Sequence, residues 1–223
     1  MFDVPLRPMR SVRLRSWLSG LLVSPWLLTG CEAPLNLEAV DLQRDQPVQR
    51  TDFLQAMAVN QQLNLLAGNA GVLLSSADNG QSWQRLQLPT DAGLIDLDSC
   101  PDQSFIALSF DNQIWHGSAD GRQWSAYPLP STEQMMTSAC APDGSWWAAG
   151  SFSTWQVSAD QGASWQEDSL YEDAILTNLQ FIDDSQAVML GEFGMLFVSD
   201  DTGQSWQPAG SLPDEFYPHA SHF

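Results

Sequence analysis

From residue 51 onward the chain alternates apolar and polar positions in short runs, and polar turn residues separate the runs. Residues 94 to 129 show the pattern well. LIDLDS alternates, SFIALSF is apolar, QIWHGS alternates, and QWSAYPL alternates up to its proline. Turn signals lie between them at Pro101-Asp102, Asp111-Asn112 and Asp120-Gly121. A two-residue period bounded by such turns predicts β-strands. No long helical period occurs after residue 31, so solenoids of helix pairs are disfavoured.

The strand pattern repeats. Trp83, Trp124, Trp165 and Trp206 stand 41 residues apart. Each ends a polar turn: SADNGQSW, SADGRQW, SADQGASW and SDDTGQSW. Fifteen residues before each Trp sit Gly68, Ser109, Gly150 and Gly191; twelve before sit Gly71, Asn112, Ser153 and Gly194. Small or turn-forming residues at matched places predict a repeated hairpin. Four short strands in about forty residues is the period of a β-propeller blade.

The turn has its own physics. An Asp carboxylate accepts hydrogen bonds from backbone N–H groups of its own turn, a Gly takes φ > 0, and a Trp then opens the next strand and packs between blades. Those roles fall to Ser76, Asp78, Gly80 and Trp83; to Ser158, Asp160, Gly162 and Trp165; and to Ser199, Asp201, Gly203 and Trp206. The second copy, with Ser118, Asp120, Gly121 and Trp124, is one residue shorter, so its turn must differ.

These turns resemble Asp-box (BNR-type) repeats. The wider runs RTDFLQAMAV…LLAGNAGVLLSSADNGQSW and GEFGMLFVSDDTGQSW resemble the photosystem II stability/assembly-factor family of Asp-box propellers, over roughly residues 51–209. The resemblance implies an all-β fold, a β-propeller of four-stranded antiparallel blades, in a non-catalytic protein-binding and assembly-helping role. It does not imply photosynthesis. About four blades are recognisable, at 51–90, 91–130, 131–171 and 172–209, and residues 210–223 form a tail or the start of a further blade. Family members usually have more blades, so the ring is expected to be short, open or completed by a partner. Photosynthetic relatives use an arginine-rich surface, which this chain has too few arginines to reproduce.

The first thirty residues read differently. Arg7, Arg10, Arg13 and Arg15 precede a short apolar stretch, Trp17 to Leu28, too short to span a membrane and typical of a signal peptide. It ends in LLTGC, which resembles a bacterial lipobox and implies cleavage before Cys31 and lipidation of that thiol. Residues 31–50 then read as a linker. Glu32 after the cysteine points to the outer membrane, facing the periplasm. Without residues 1–30 the chain keeps four arginines, no lysine and 26 acidic residues, a net charge of about −22. Such a surface repels nucleic acid and anionic lipid, leaving the acyl group as the membrane anchor and envelope proteins as partners.

Candidate chemistry is sparse. Asp boxes also occur in sialidases, which use several arginines around a Tyr nucleophile. Arg44, Arg50, Arg85 and Arg122 are not clustered, and Tyr127, Tyr171 and Tyr217 have no acidic partner at motif spacing. The histidines His116, His219 and His222 and the acidic pairs Asp183-Asp184 and Asp200-Asp201 match no metal-ligand spacing, so neither cofactor nor metal is expected. Cys100 and Cys140 precede Pro-Asp turns and read either as a disulfide or as two buried thiols. Trp115, Trp146, Trp147 and Trp155 read as core or as a binding face. Phe152 and Phe193, each two residues after a repeat glycine, read as a recognition rim or as packing between turns. Two alternatives remain beside an assembly module: an accessory subunit of an envelope transport complex, and a sialidase-like glycan-binding or glycan-hydrolysing protein.

Overall fold

A computed structural model describes residues 36–213; the leader, Cys31, Tyr217, His219 and His222 lie outside the described residues. The expected linker contains a short helix, α1 (Glu38–Arg44). Sixteen strands follow. Blade 1 is β1 (Leu54–Val59), β2 (Asn64–Gly68), β3 (Val72–Ser76) and β4 (Gln84–Gln87). Blade 2 is β5 (Leu94–Ser99), β6 (Phe105–Ser109), β7 (Gln113–Gly117) and β8 (Trp124–Pro128). Blade 3 is β9 (Met135–Cys140), β10 (Trp146–Gly150), β11 (Thr154–Ser158) and β12 (Gln166–Ser169). Blade 4 is β13 (Leu176–Phe181), β14 (Ala187–Gly191), β15 (Met195–Ser199) and β16 (Gln207–Ser211). Each blade is an antiparallel meander in chain order.

Burial explains the strand sequences. Every residue of β6, β10 and β14 is buried, so these strands are apolar on both faces rather than alternating. The outermost β12 and β16 are exposed or half-exposed and polar, and β8 and β16 carry Pro128 and Pro208, which suit an unpaired edge.

Three cores lie between successive blades. The first joins Leu65, Ala67 and Leu73 to Leu94, Phe105 and Trp115; the second joins Ile106, Leu108 and Ile114 to Met135 and Trp146; the third joins Trp147, Ala149 and Trp155 to Leu176, Met189 and Phe197. Trp115, Trp146, Trp147 and Trp155 are therefore core residues, at most 7% exposed.

Among the described residues no fourth core joins blade 4 to blade 1. β1 packs on β5, β5 on β9, and β9 on β13. Strand register shows what blade 1 lacks. Leu94, Met135 and Leu176 open the inner strands of blades 2 to 4 and are fully buried against the preceding blade. Leu54 holds the same register in blade 1 and is 38% exposed; further along β1, Met57 and Val59 are also exposed. Trp124, Trp165 and Trp206 pack on the first, second and third cores, whereas Trp83 joins none of them. Four blades thus form an arc. The outer part of blade 1 is strapped by the segment before it: Arg85, on β4, donates to the Pro47 carbonyl and pairs with the buried Asp52 carboxylate at 2.8 Å.

Candidate binding surface

The two ends of the blades are built differently. At one end the Asp boxes join the third strand of each blade to the fourth. Ser76 Oγ donates to Asp78 Oδ1 at 2.8 Å, and the Gly80 N–H donates to Ser76 Oγ at 2.7 Å. Ser82 closes the turn, its N–H bonding Asp78 Oδ1 and its hydroxyl bonding Asp78 Oδ2. Ser158, Asp160, Gly162 and Ser164 repeat this network, as do Ser199, Asp201, Gly203 and Ser205. The serine between Gly and Trp is thus a full member of the box. Its recurrence in QSW, ASW and QSW was the available sequence signal.

Donation from the Ser82 hydroxyl and N–H and from Ser76 holds the Asp78 carboxyl down at about 2. Asp160 and Asp201 are lowered for the same reason, first by Ser164 and Ser205 respectively. In the shorter copy, Ser118 Oγ and the Arg122 N–H donate to Asp120 Oδ1, and the Trp124 indole donates to the Gly121 carbonyl at 2.9 Å. These aspartates spend their oxygens on their own turns.

Box glycines also touch the preceding blade. A Cβ on Gly162 would lie 2.6 Å from the Tyr127 ring, and one on Gly203 2.6 Å from Trp147. Both have φ near +84°, a conformation suited to glycine. Cys100 and Cys140 lie at this end too, joined by a disulfide between blades 2 and 3 with Cα atoms 5.0 Å apart.

The opposite end holds the turns between the second and third strands. Ala70 and Gly71, Phe152 and Ser153, and Phe193 and Gly194 all have positive φ, between 51° and 71°. Two such residues in succession make a tight hairpin turn that favours Asn or Gly. Phenylalanine is a costly choice there. Both rings are exposed, Phe152 at 56% and Phe193 at 58%. Blade 2 presents Phe110 in its own turn, 57% exposed. That residue sits one position earlier in the repeat, so a strict 41-residue comparison misses it; allowing one residue of slip finds it.

Inter-blade linkers are laced to these turns. Gln134 Nε2 donates to the Phe110 carbonyl, Ser169 Oγ to the Phe152 carbonyl, and the Glu192 N–H to the Ile175 carbonyl. Tyr171, in the linker after blade 3, is 89% exposed with φ 59°. Phe110, Phe152, Tyr171 and Phe193 therefore occupy one end of three successive blades.

Between the ends, the four inner strands border a cavity of ≈ 690 Å³. Gln55, Asp96, Asp98, Ser138, Asn178 and Gln180 contribute polar groups to it. Asp96 Oδ2 accepts from the Thr137 hydroxyl at 2.8 Å and the Ser138 N–H at 2.7 Å; Asp98 Oδ2 accepts from the Cys140 N–H at 2.9 Å. Both carboxylates stitch blade 2 to blade 3. Part of each residue reaches the cavity surface, but β9 encloses the carboxylates. Burial outweighs the hydrogen bonds and pushes Asp96 up to about 6 and Asp98 upward.

No arginine lines this cavity. Arg44 pairs with Asp41 and Arg85 with Asp52, while Arg122 belongs to an Asp-box turn. His116 stacks on Trp146 with ring centres 4.8 Å apart, and burial lowers its pKa. Among the described residues no group of three His, Cys, Asp or Glu side chains is placed to hold a metal, and no helix is long and apolar enough to cross a membrane.

No family model and no curated protein matches the chain. Solved structures do match it. Virginiamycin B lyase from Staphylococcus aureus aligns at 15% identity and a TM-score of 0.62, over 72% of this chain and 56% of the lyase. The β-propeller domain of Cps50 (Swd1) from Myceliophteria thermophila aligns at 11% identity and a TM-score of 0.57, over 72% of this chain and 58% of that domain. YCF48 bound to D1 peptide aligns at 16% identity and a TM-score of 0.44, over 75% and 70% of the two chains. This chain spans little more than half the length of the lyase and of the Cps50 domain. Identities this low speak to architecture alone. Residues 54–211 fold as four blades of a β-propeller.

Proposed function

We propose that this chain is a non-catalytic, protein-binding propeller of the bacterial cell envelope, tethered by a lipid on Cys31, and that its partner docks on the end carrying Phe110, Phe152 and Phe193. One observation carries the docking face. Three blades in succession expose a phenylalanine at the same turn, and two of the three stand at positive φ, where the backbone disfavours them. Residues that violate local preference without a packing return are functional candidates. Exposed aromatic rings are the side chains most enriched at protein interfaces.

The envelope location rests on the basic leader and the LLTGC motif. An assembly-helping role is what the Asp-box resemblance implies. The four mature arginines stand apart from the cavity, which gives a sialidase-like carboxylate clamp no support.

Photocrosslinking in cells tests the reading. A crosslinking amino acid replaces Phe152 or, as a control at the Asp-box end, Gln161. A discrete protein adduct at 152 that is absent at 161 and lost on Phe110→Ala/Phe193→Ala supports the docking face; equal adducts at both ends refute it. Cys31→Ser should move the protein from the membrane to the soluble fraction, and unchanged membrane retention would refute the lipid tether.

A further inference from the structure

The Phe-bearing end of blades 2 to 4 is acidic as well as apolar. Asp111 stands in the turn beside Phe110, Glu133 in the linker between blades 2 and 3, and Glu172 and Asp173 in the linker beside Tyr171. Turns 110–112, 151–153 and 192–194 and linkers 88–93, 129–134 and 170–175 contain no Lys or Arg. The acids are held through their backbones: Asn112 Nδ2 donates to the Glu133 carbonyl at 2.7 Å, and Ser153 Oγ to the Glu172 carbonyl at 2.9 Å. Glu172, Asp173 and Tyr171 are exposed. The Asp-box acids at the other end are consumed by their own turns. Asp111 is bound within its own turn as well, accepting from the Ser109 hydroxyl and the Gln113 amide, so Glu172 and Asp173 are the exposed carboxylates beside the rings.

We infer that the partner docks through a basic, apolar peptide segment, its Lys or Arg side chains meeting Glu172 and Asp173 and its apolar side chains covering Phe152 and Phe193. This rests on the docking face proposed above and adds the partner's chemistry. Charge complementarity selects that occupant. An anionic lipid or nucleic acid would be repelled, and an acidic segment would oppose Glu172 and Asp173 with no Lys or Arg in the turns and linkers around them. A basic segment gains ion pairs at the linkers and cation–π contact with the exposed rings.

Fluorescence anisotropy with the detergent-purified full chain provides the test. The probe is a labelled peptide of alternating Lys and Leu, compared with one of alternating Glu and Leu. Only the Lys peptide should bind, and added salt should weaken it. Glu172→Gln/Asp173→Asn should weaken it about fivefold, the scale of two exposed charge pairs. Asp184→Asn/Asp200→Asn removes the same charge at the Asp-box end and should change affinity less than about twofold. Equal losses in the two double variants, binding of the Glu peptide, or salt-independent binding would each overturn the basic-partner inference. If Phe110→Ala/Phe193→Ala abolishes the cellular adduct at 152 while Glu172→Gln/Asp173→Asn leaves peptide binding intact, the docking face stands and only its chemistry is wrong. An adduct that survives the loss of both rings removes the docking face itself.

Discussion

The two ends of each blade use the same repeat to opposite effect. At the Asp-box end, side chains turn inward on the turn: Asp78, Asp160 and Asp201 each accept from two serines, and Gly162 and Gly203 seat aromatic rings of the preceding blade. At the other end the backbone repeats as faithfully, but Phe110, Phe152 and Phe193 face solvent. One end uses its sequence to hold the blades together. The other spends backbone strain on rings that stay more than half exposed. Variants at the first should therefore cost stability and spare binding, and variants at the second should do the reverse.

The largest effect should come from the disulfide. Cys100 and Cys140 are 40 residues apart, and opening a loop of that size releases chain entropy worth about 4 kcal/mol. Cys100→Ser/Cys140→Ser should lower the urea midpoint accordingly, with adduct formation at Phe152 retained under conditions where the variant is folded. A drop of less than about 1 kcal/mol would mean that the core between blades 2 and 3 holds without the staple.

Asp96 should give the next largest effect. Its folded pKa of about 6 lies above the ordinary 3.8, so the folded chain holds a proton that the unfolded chain releases. The sign follows. This group's contribution is fully present below about pH 4, declines as pH rises through 6, and is gone above. A two-unit shift corresponds to about 3 kcal/mol at most. Asp96→Asn keeps an acceptor for Thr137 and Ser138 but cannot ionise. Its denaturation midpoint should therefore be flatter between about pH 4 and 7 than the wild-type one, and parallel curves would sink the assignment. Asp98, also raised, will leave part of the slope in place.

A smaller contrast isolates contact between blades. Gly80 and Gly203 hold the same box position with φ of +85° and +84°. A Cβ on Gly203 meets the Trp147 ring at 2.6 Å, whereas one on Gly80 has only its own Trp83 at 3.6 Å. Alanine should cost about 1–2 kcal/mol at either site for the left-handed backbone, and about 1–3 kcal/mol more at Gly203 for overpacking. Equal costs in chemical denaturation would mean that the blades adjust freely against one another.

The Trp spacing and the alternating runs were enough to read four blades, their strands and their Asp-box turns, because each rests on residues within one repeat. The disulfide was legible only as one of two readings, since spacing says nothing of the approach between blades. Trp115, Trp146, Trp147 and Trp155 stayed ambiguous for the same reason: a strand residue's face is clear, but not what stands opposite. Phe110 was missed through a one-residue slip within its turn, and Tyr171 through a positive φ that its sequence does not announce. The exposed Leu54, Met57 and Val59 were invisible, because the equivalent face in blades 2 to 4 is covered by a preceding blade and among the described residues none covers β1.

The smallest effect should run against the usual direction. Phe152 and Phe193 occupy the first of two successive positive-φ positions, with φ of 53° and 58°. Asn is among the residues that tolerate this conformation best, and the rings, being more than half exposed, return little burial energy. Phe152→Asn/Phe193→Asn should therefore raise the unfolding free energy, by about 0.5–1 kcal/mol in total, while removing the apolar contacts that a partner would cover. Urea denaturation and the Lys/Leu peptide titration, run on the same preparation, would read both. A more stable chain that no longer binds is what separates a rim kept for recognition from one kept for packing. If the double variant is destabilised by more than about 1 kcal/mol, the rings are packing their neighbouring turns, and the contrast between the two ends collapses.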